Sequence, residues 1–147
     1  MIEVLVAMVI LAVGLLGLAA LQASSLKNNQ TAYYRGLATQ LSYDIADRMR
    51  ANRLSGDKYV SSYMKPTAAK DQSAHCLQVT STCTPDKMAE HDLFEWNAAL
   101  KSLPGAKGEI SFEKSSYKVV ITWDEKRDDN RDGKDDTETH FDMAFQL

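Results

Sequence analysis

The opening residues constrain this chain more than anything that follows them. From Val4 to Leu21 runs VLVAMVILAVGLLGLAAL, eighteen residues without a charged or strongly polar side chain. As a helix rising 1.5 Å per residue, the run covers roughly 27 Å, just enough for a bilayer core. A cleavable secretory signal places basic residues ahead of a shorter apolar stretch. Here an acid, Glu3, stands at the head of the run, and the first cation, Lys27, comes after it. A carboxylate in that place is costly in lipid unless it sits at the interface, near the positive end of the helix dipole, or meets a cation. The N-terminal amine of a neighbouring chain would be such a cation, and the pair would fix the axial register of stacked helices.

After Leu21 the chain reads as an ordinary soluble sequence. Its 147 residues fit one domain plus an appendage, and a net charge of −3 argues against electrostatic binding of nucleic acid. Tyr34, Leu37, Leu41, Ile45 and Met49 recur at helical spacing, and no proline occurs between Ile2 and Arg53. The apolar run should therefore continue as one helix of about 50 residues, roughly 75 Å long, with Ser55-Gly56 as its stop. Only its second half can pack on a domain of this size. The first half must be buried in lipid or among other copies of the same helix. Gly14 and Gly17 within it fit either close helix approach or local flexibility.

The expected organisation is a transmembrane or assembly helix over 1–23 and a globular head over 24–147. Within the head the helix continues over 24–54, and 55–83 is loop-like. Thr84-Pro85 resembles an N-cap followed by proline at the first helical position. A second helix then runs over 85–103, with Ala89, Leu93, Trp96, Leu100 and Leu103 on its apolar face and Pro104-Gly105 as its stop. From about 107 to 147 the pattern has period two. Ile110 and Phe112, then Tyr117, Val119, Ile121 and Trp123, then Phe141, Met143, Phe145 and Leu147 form the apolar faces of three strands. Lys114-Ser115-Ser116 can turn the first hairpin. The fold class is α+β, a long helix and a short one packed on a small antiparallel sheet.

MIEVLVAMVILAVGLLGLAALQ resembles the start of mature type IV pilins and pseudopilins, in which an Ile-Glu pair precedes an apolar helix. On that match Ile2 and Glu3 are the pair, and Met1 stands where the family has leucine. The resemblance implies that Glu3 pairs with a subunit N-terminus during assembly. The basic leader, the glycine before the cleavage point and the initial Phe-Thr are not in this sequence, so a truncated start is expected. A second segment narrows the likeness. Cys76 and Cys83, Asp92-Leu93-x-x-Trp96, Leu103-Pro104-Gly105 and Thr122-Trp123-Asp124 resemble the type IV pilus modification protein, a minor pilin of the PilV type. That resemblance implies a subunit that primes or assembles pili near the tip and supports adhesion and twitching motility. It would first lie in the inner membrane with its head in the periplasm, and then in the extracellular pilus. Its partners would be other pilins and minor pilins, through the N-terminal helix, and a tip adhesin.

Two cysteines, with six residues between them in a polar stretch, suggest one disulfide in an exported domain. Closing so small a loop would stabilise by roughly 2–3 kcal/mol on the chain-entropy account. A zinc site would need His75 or His91 as further ligands, without a CxxC or HxxxH pair to support it. Farther on, Asp128-x-Asn130-x-Asp132-Gly133 matches the opening of a calcium loop, with the Lys134 carbonyl and Asp136 at later ligand positions. The twelfth position is Thr139 rather than a bidentate glutamate, so a full EF-hand is not expected. Either the loop takes Ca2+ and orders the last strand, or it is a solvated hairpin loop. No other cofactor is implied.

No GxSxG elbow, HExxH, P-loop or GxGxxG is present, and the three histidines lack partnered spacing, so an enzyme is not expected. Two alternatives stand beside the filament reading. One is a minor pseudopilin of a type II secretion system. The other is a monomeric, membrane-tethered periplasmic binding module.

Overall fold

The computed structural model describes residues 1–64, 76, 83–125 and 138–147. Helix α1 spans Ile2–Ala51, strand β1 Ser61–Met64, helix α2 Pro85–Ala99, and strands β2, β3 and β4 Lys107–Glu113, Ser116–Asp124 and Glu138–Phe145. Two compact units are present, Met1–Tyr34 and Arg35–Leu147.

In the first unit every residue up to Gln30 is exposed. In the second, α1 buries Ala38, Leu41, Ser42, Ile45, Ala46 and Met49. Ile45, Ala46 and Met49 are wholly inaccessible, whereas Tyr34 and Leu37 are half-buried. The helix carries Arg48 and Arg50 in its last turn, where cations oppose the helix dipole. It ends at Ala51, three residues short of the expected end at 54. A 3-10 segment, Arg53–Tyr59, follows, broken at Ser55. Gly56 is needed there for close approach. A Cβ at that position would come within 2.6 Å of the Tyr117 hydroxyl and 2.7 Å of Leu147.

The expected loop over 55–83 holds more structure than its composition implies. Besides the 3-10 segment, it contains β1, which pairs with β2 through Ser61 opposite Ile110 and Met64 opposite Gly108, with an irregular register between. Ser-Ser-Tyr-Met has no clean alternation, so its pairing comes from the exposed edge of β2 rather than from its own pattern.

Thr84 caps α2 by accepting from the Lys87 N–H, with Pro85 in the first turn. The expected helical turn at 100–103 is instead a 3-10 turn, Leu100–Ser102, and Leu103 is extended at φ −102° and ψ 137°. Pro104 is the cause, because the residue before a proline is pushed out of the helical region. All five expected apolar positions of this helix are buried.

The sheet is a four-stranded antiparallel meander in the order β1-β2-β3-β4. Its inner face carries Gly108 and Ile110, then Val119, Ile121 and Trp123, then Phe141, Met143 and Phe145. Gly108 admits the Trp96 ring of α2, which a side chain at 108 would strike, and Leu100 lies 2.8 Å from where its Cβ would be. Phe112, expected on the covered face, is 53% exposed. It has the right parity but lies near the tip of the hairpin, with its ring tilted against Tyr117 at 4.6 Å between centroids. Lys114 and Ser115 both have positive φ, so β2 and β3 are joined by a two-residue turn closed by Glu113 opposite Ser116.

Candidate functional site: an apolar stem and a motif-bearing head

Glu3 lies in the first turn of α1 and is followed by no further acid until Asp44. From Val4 to Leu21 the helix presents apolar side chains on all sides: Leu5 is 64% exposed, Leu11 65%, and Leu16 and Leu21 71% each. Such a surface is far larger than soluble monomers leave to water. By length and composition α1 can cross a membrane. Around Gly14 and Gly17 nothing stands within 4 Å, so a neighbouring backbone has room to approach there.

The head's second feature is a polar cluster where α1, α2 and the 3-10 segment meet. Arg48 donates to Glu95 at 2.6 Å, to Asp44 at 3.1 Å and to Asp92 at 3.2 Å. Tyr59, inaccessible to solvent, donates its hydroxyl proton to the other oxygen of Asp92. Ser55 donates to Asp86 at 2.5 Å, and the Asn52 amide donates to the Pro85 carbonyl at 2.7 Å. His91 lies 3.4 Å from Glu95. Burial alone would lower the Arg48 pKa, but the hydrogen bond to Glu95, the charge of Asp44 and the bond to Asp92 outweigh it and hold the guanidinium above its ordinary range. Burial and then the Asp92 carboxylate push the Tyr59 phenol up as well.

Asp92 belongs to the Asp-Leu-x-x-Trp pattern, and the other parts of that pattern also meet. Trp96 donates its indole N–H to the Leu41 carbonyl of α1 at 2.9 Å and lies over Gly108. The Asp124 N–H donates to the Pro104 carbonyl at 2.8 Å. Gly105 has φ +61°, and its missing Cβ leaves room for the Asp124 carboxylate. Asp92 and Trp96 thus join α2 to α1, and the Leu-Pro-Gly and Thr-Trp-Asp segments join each other at the end of β3. Their chemistry is that of positioning and contains no nucleophile and base within reach of one another.

The family model for the type IV pilin Tt1218 (Tt1218-like) matches residues 20–94, just over half of the chain. The chain belongs to the type IV pilins. No curated protein and no solved structure matches it. The matched segment of the pilin runs from the end of the apolar stretch through the rest of α1 and β1 into α2, so Glu3 and strands β2, β3 and β4 lie outside it.

The family is a structural one, and its members assemble with other pilins. The apolar half of α1 fits membrane anchoring followed by that assembly. In this pilin Cys76 and Cys83 are joined as a disulfide with their Cα atoms 5.0 Å apart, and Cys83 directly precedes the N-cap of α2. The expected calcium ligands Asp128, Asn130, Asp132, Lys134 and Asp136 lie outside the described residues. Among the described residues no group of three or more His, Cys, Asp and Glu is placed to hold a metal. The outer face of the sheet forms a shallow concavity of about 480 Å3, bordered by Glu109, Glu113, Lys118, Thr122, Glu138 and His140.

Sequence reasoning did not single out the buried Tyr59 and Asn97, nor Gly108, and it named His91 only as a further zinc ligand and Asp92 only within a resemblance, neither as a buried polar residue. A signal for Asp92 was available. It directly precedes Leu93 on the apolar face of α2, four residues before Trp96, where a carboxylate requires a buried partner. Nothing in the local sequence marks Arg48 or Tyr59 as that partner.

Proposed function

We propose that this pilin is a minor subunit of a type IV pilus, of the PilV type, which primes or assembles the filament near its tip and supports adhesion and twitching motility. The observation that carries the reading is that Asp92 and Trp96 bond to buried partners and that Pro104 and Gly105 meet Asp124, because those residues make up the pattern that resembles the pilus modification proteins. In this reading the subunit waits in the inner membrane as a single-pass protein with its head in the periplasm. It then leaves the bilayer for a bundle of like helices, and Glu3 meets the N-terminal amine of a neighbouring pilin. That carboxylate would be stabilised by a cation once lipid surrounds it no longer.

The test is a deletion strain complemented with the wild-type chain or with Glu3→Ala. Deletion should reduce surface pili and twitching while leaving secreted enzymes unchanged. The substituted chain should accumulate in the membrane with a folded head and stay out of sheared pili. Loss of secreted enzymes with normal pili would instead identify a pseudopilin of a type II secretion system. Normal piliation with Glu3→Ala would leave a monomeric tethered module.

For the loop between β3 and β4 we propose Ca2+ as a ligand, on the spacing of Asp128, Asn130, Asp132 and Asp136 and on the crowding of five acids within nine residues. Glu125, just before the loop, is buried and accepts from Thr139 at 2.9 Å, so an ordered loop would act on the start of β4. Calorimetry on the full chain in detergent should show heat and a melting shift with millimolar calcium, both absent in Asp128→Asn/Asp132→Asn. No heat with the wild-type chain would end the idea.

A further inference from the structure

The two faces of the sheet are used differently. The inner face is covered within the head, where Arg50 lies over Phe145, Gly56 meets Tyr117 and the Trp96 ring meets Gly108. The outer face is covered by none of these groups, and assembly through the N-terminal helix does not call on it. Residues opposite each other in the ladder share a face, so the register fixes its rows. Lys107, Thr122 and His140 form one row across β2, β3 and β4, and Glu109, Val120 and Asp142 form the next.

The ammonium groups of this face are already engaged. Lys107 meets Glu138 at 2.8 Å, and Lys118 meets Asp142 at 3.4 Å. Glu109 and Glu113 have no ion pair and no side-chain hydrogen bond among the described residues. Glu109 is half-buried, so its carboxylate has lost part of its water without gaining a cation. Acids on the outside of a sheet are commonly just a solvated face. Thr122 sets this face apart. It borders the concavity, is only 9% exposed, and its hydroxyl has no hydrogen-bond partner among the described residues. Buried hydroxyls are normally bonded, and one left open toward a concavity is a place for the polar atom of a ligand.

We propose that the outer face binds an extended basic segment of a partner protein, with two lysine or arginine side chains on Glu109 and Glu113 and the Thr122 hydroxyl donating to a backbone carbonyl of the segment. Glu109 and Glu113 are four residues apart on β2, about 13 Å along the strand. In an extended peptide, residues i and i+4 lie on the same side at the same distance, so two basic residues with three between them match the two acids. Glu138 and Asp142 neutralise Lys107 and Lys118, so the charge left over on the face is negative. An anionic segment would meet Glu109 and Glu113 directly and is disfavoured. The concavity is shallow, which suits a chain laid across it better than an enclosed small molecule. This goes beyond the filament role and does not rest on the minor-pilin assignment.

The test uses the full chain in non-ionic detergent and fluorescently labelled, end-blocked peptides of serine and threonine with two lysines, read by anisotropy at low ionic strength, where exposed charges are least screened. The peptide with its lysines four residues apart should bind about three- to five-fold more tightly than a peptide of the same composition with adjacent lysines, the difference of one exposed ion pair. Glu109→Gln and Glu113→Gln should each weaken the spaced peptide by about the same factor. Thr122→Val should weaken it about three-fold without changing any charge. Thr122→Ser keeps the hydroxyl and should bind as the wild type does, which separates loss of the bond from loss of the fold. Glu90 is an exposed acid on α2, and Glu90→Gln should leave the affinity unchanged. Equal losses for Glu90→Gln and Glu109→Gln would overturn the proposal, because attraction to the chain's net charge alone gives that result. Equal affinity for the two peptides, or full affinity in Thr122→Val, would overturn it as well.

Discussion

Helix α1 is one secondary structure with two kinds of surface. Over Met1–Tyr34 the side chains are apolar all round or polar and exposed. Over Arg35–Ala51 they are divided, with Leu41, Ile45 and Met49 buried and Asp44, Asp47 and Arg50 in solvent. The difference shows where each half gets its stability. The second half is held by the head's own core, including the Trp96 bond to the Leu41 carbonyl and the Arg50 guanidinium 5.3 Å over the Phe145 ring. The first half has no such core, so what lies outside the chain must shelter it. A pilin can hand its stem from lipid to a bundle of helices only if the head does not depend on what surrounds the stem.

Substitutions can break or sharpen that contrast. The largest effect is expected at Trp96→Ala, which removes a fully buried side chain and its bond to α1 and should cost about 3–5 kcal/mol in chemical denaturation of the full chain in micelles. Next comes a pair of substitutions on the same helix. Ile45→Ala should cost about 2–4 kcal/mol, whereas Leu11→Ala should move the head's transition by less than about 0.5 kcal/mol. Equal losses at the two positions would mean that the stem and the head fold as one unit. Both tryptophans lie in the head, so their fluorescence reads that transition.

The polar cluster should respond to a lesser degree. Asp92→Asn weakens the hold on Arg48 and Tyr59 together and should cost about 2–3 kcal/mol by the same denaturation. The raised Tyr59 pKa means that above about pH 10 the unfolded chain loses a proton that the folded chain keeps. Stability is then fully present below that pH and falls as pH rises through the folded value. Tyr59→Phe should remove this component of the alkaline slope. The smallest effect is a gain. Lys114 and Ser115 both hold positive φ, so Lys114→Asn/Ser115→Gly should stabilise the β2–β3 hairpin by about 0.5–1 kcal/mol, read as a rise in melting temperature.

Periodicity made the apolar half of the fold legible. The stripe at 41, 45 and 49, the five apolar positions of α2, and the parity of β2, β3 and β4 all follow from repeats of 3.6 or 2. The exposed Phe112 obeys the parity but not the coverage, because a pattern reports which face a residue takes and not how far the opposing layer extends. The small residues Ala38, Ser42 and Ala46 were missed because their burial depends on closely packed partners and not on hydrophobicity. β1 was missed because its pairing is a property of β2. The polar cluster was missed because its members, Arg48, Tyr59 and Asp92, are distant in sequence. The motif residues Trp96 and Asp124 were visible as a resemblance, but their partners, the Leu41 and Pro104 carbonyls, are backbone groups that no side-chain pattern marks.

The bond from Trp96 to the Leu41 carbonyl has a mechanical meaning. α1 is uninterrupted from Ile2 to Ala51, so tension applied to a filament's helices is transmitted along its backbone to residue 41. There the indole N–H and, about two turns later, the Arg48 ties to Asp92 and Glu95 resist sliding of α1 past α2. Contacts loaded in shear share the force and yield together, whereas contacts peeled apart fail one after another. A head fastened in this way would hold its shape under a steady pull and let go abruptly when the limit is passed.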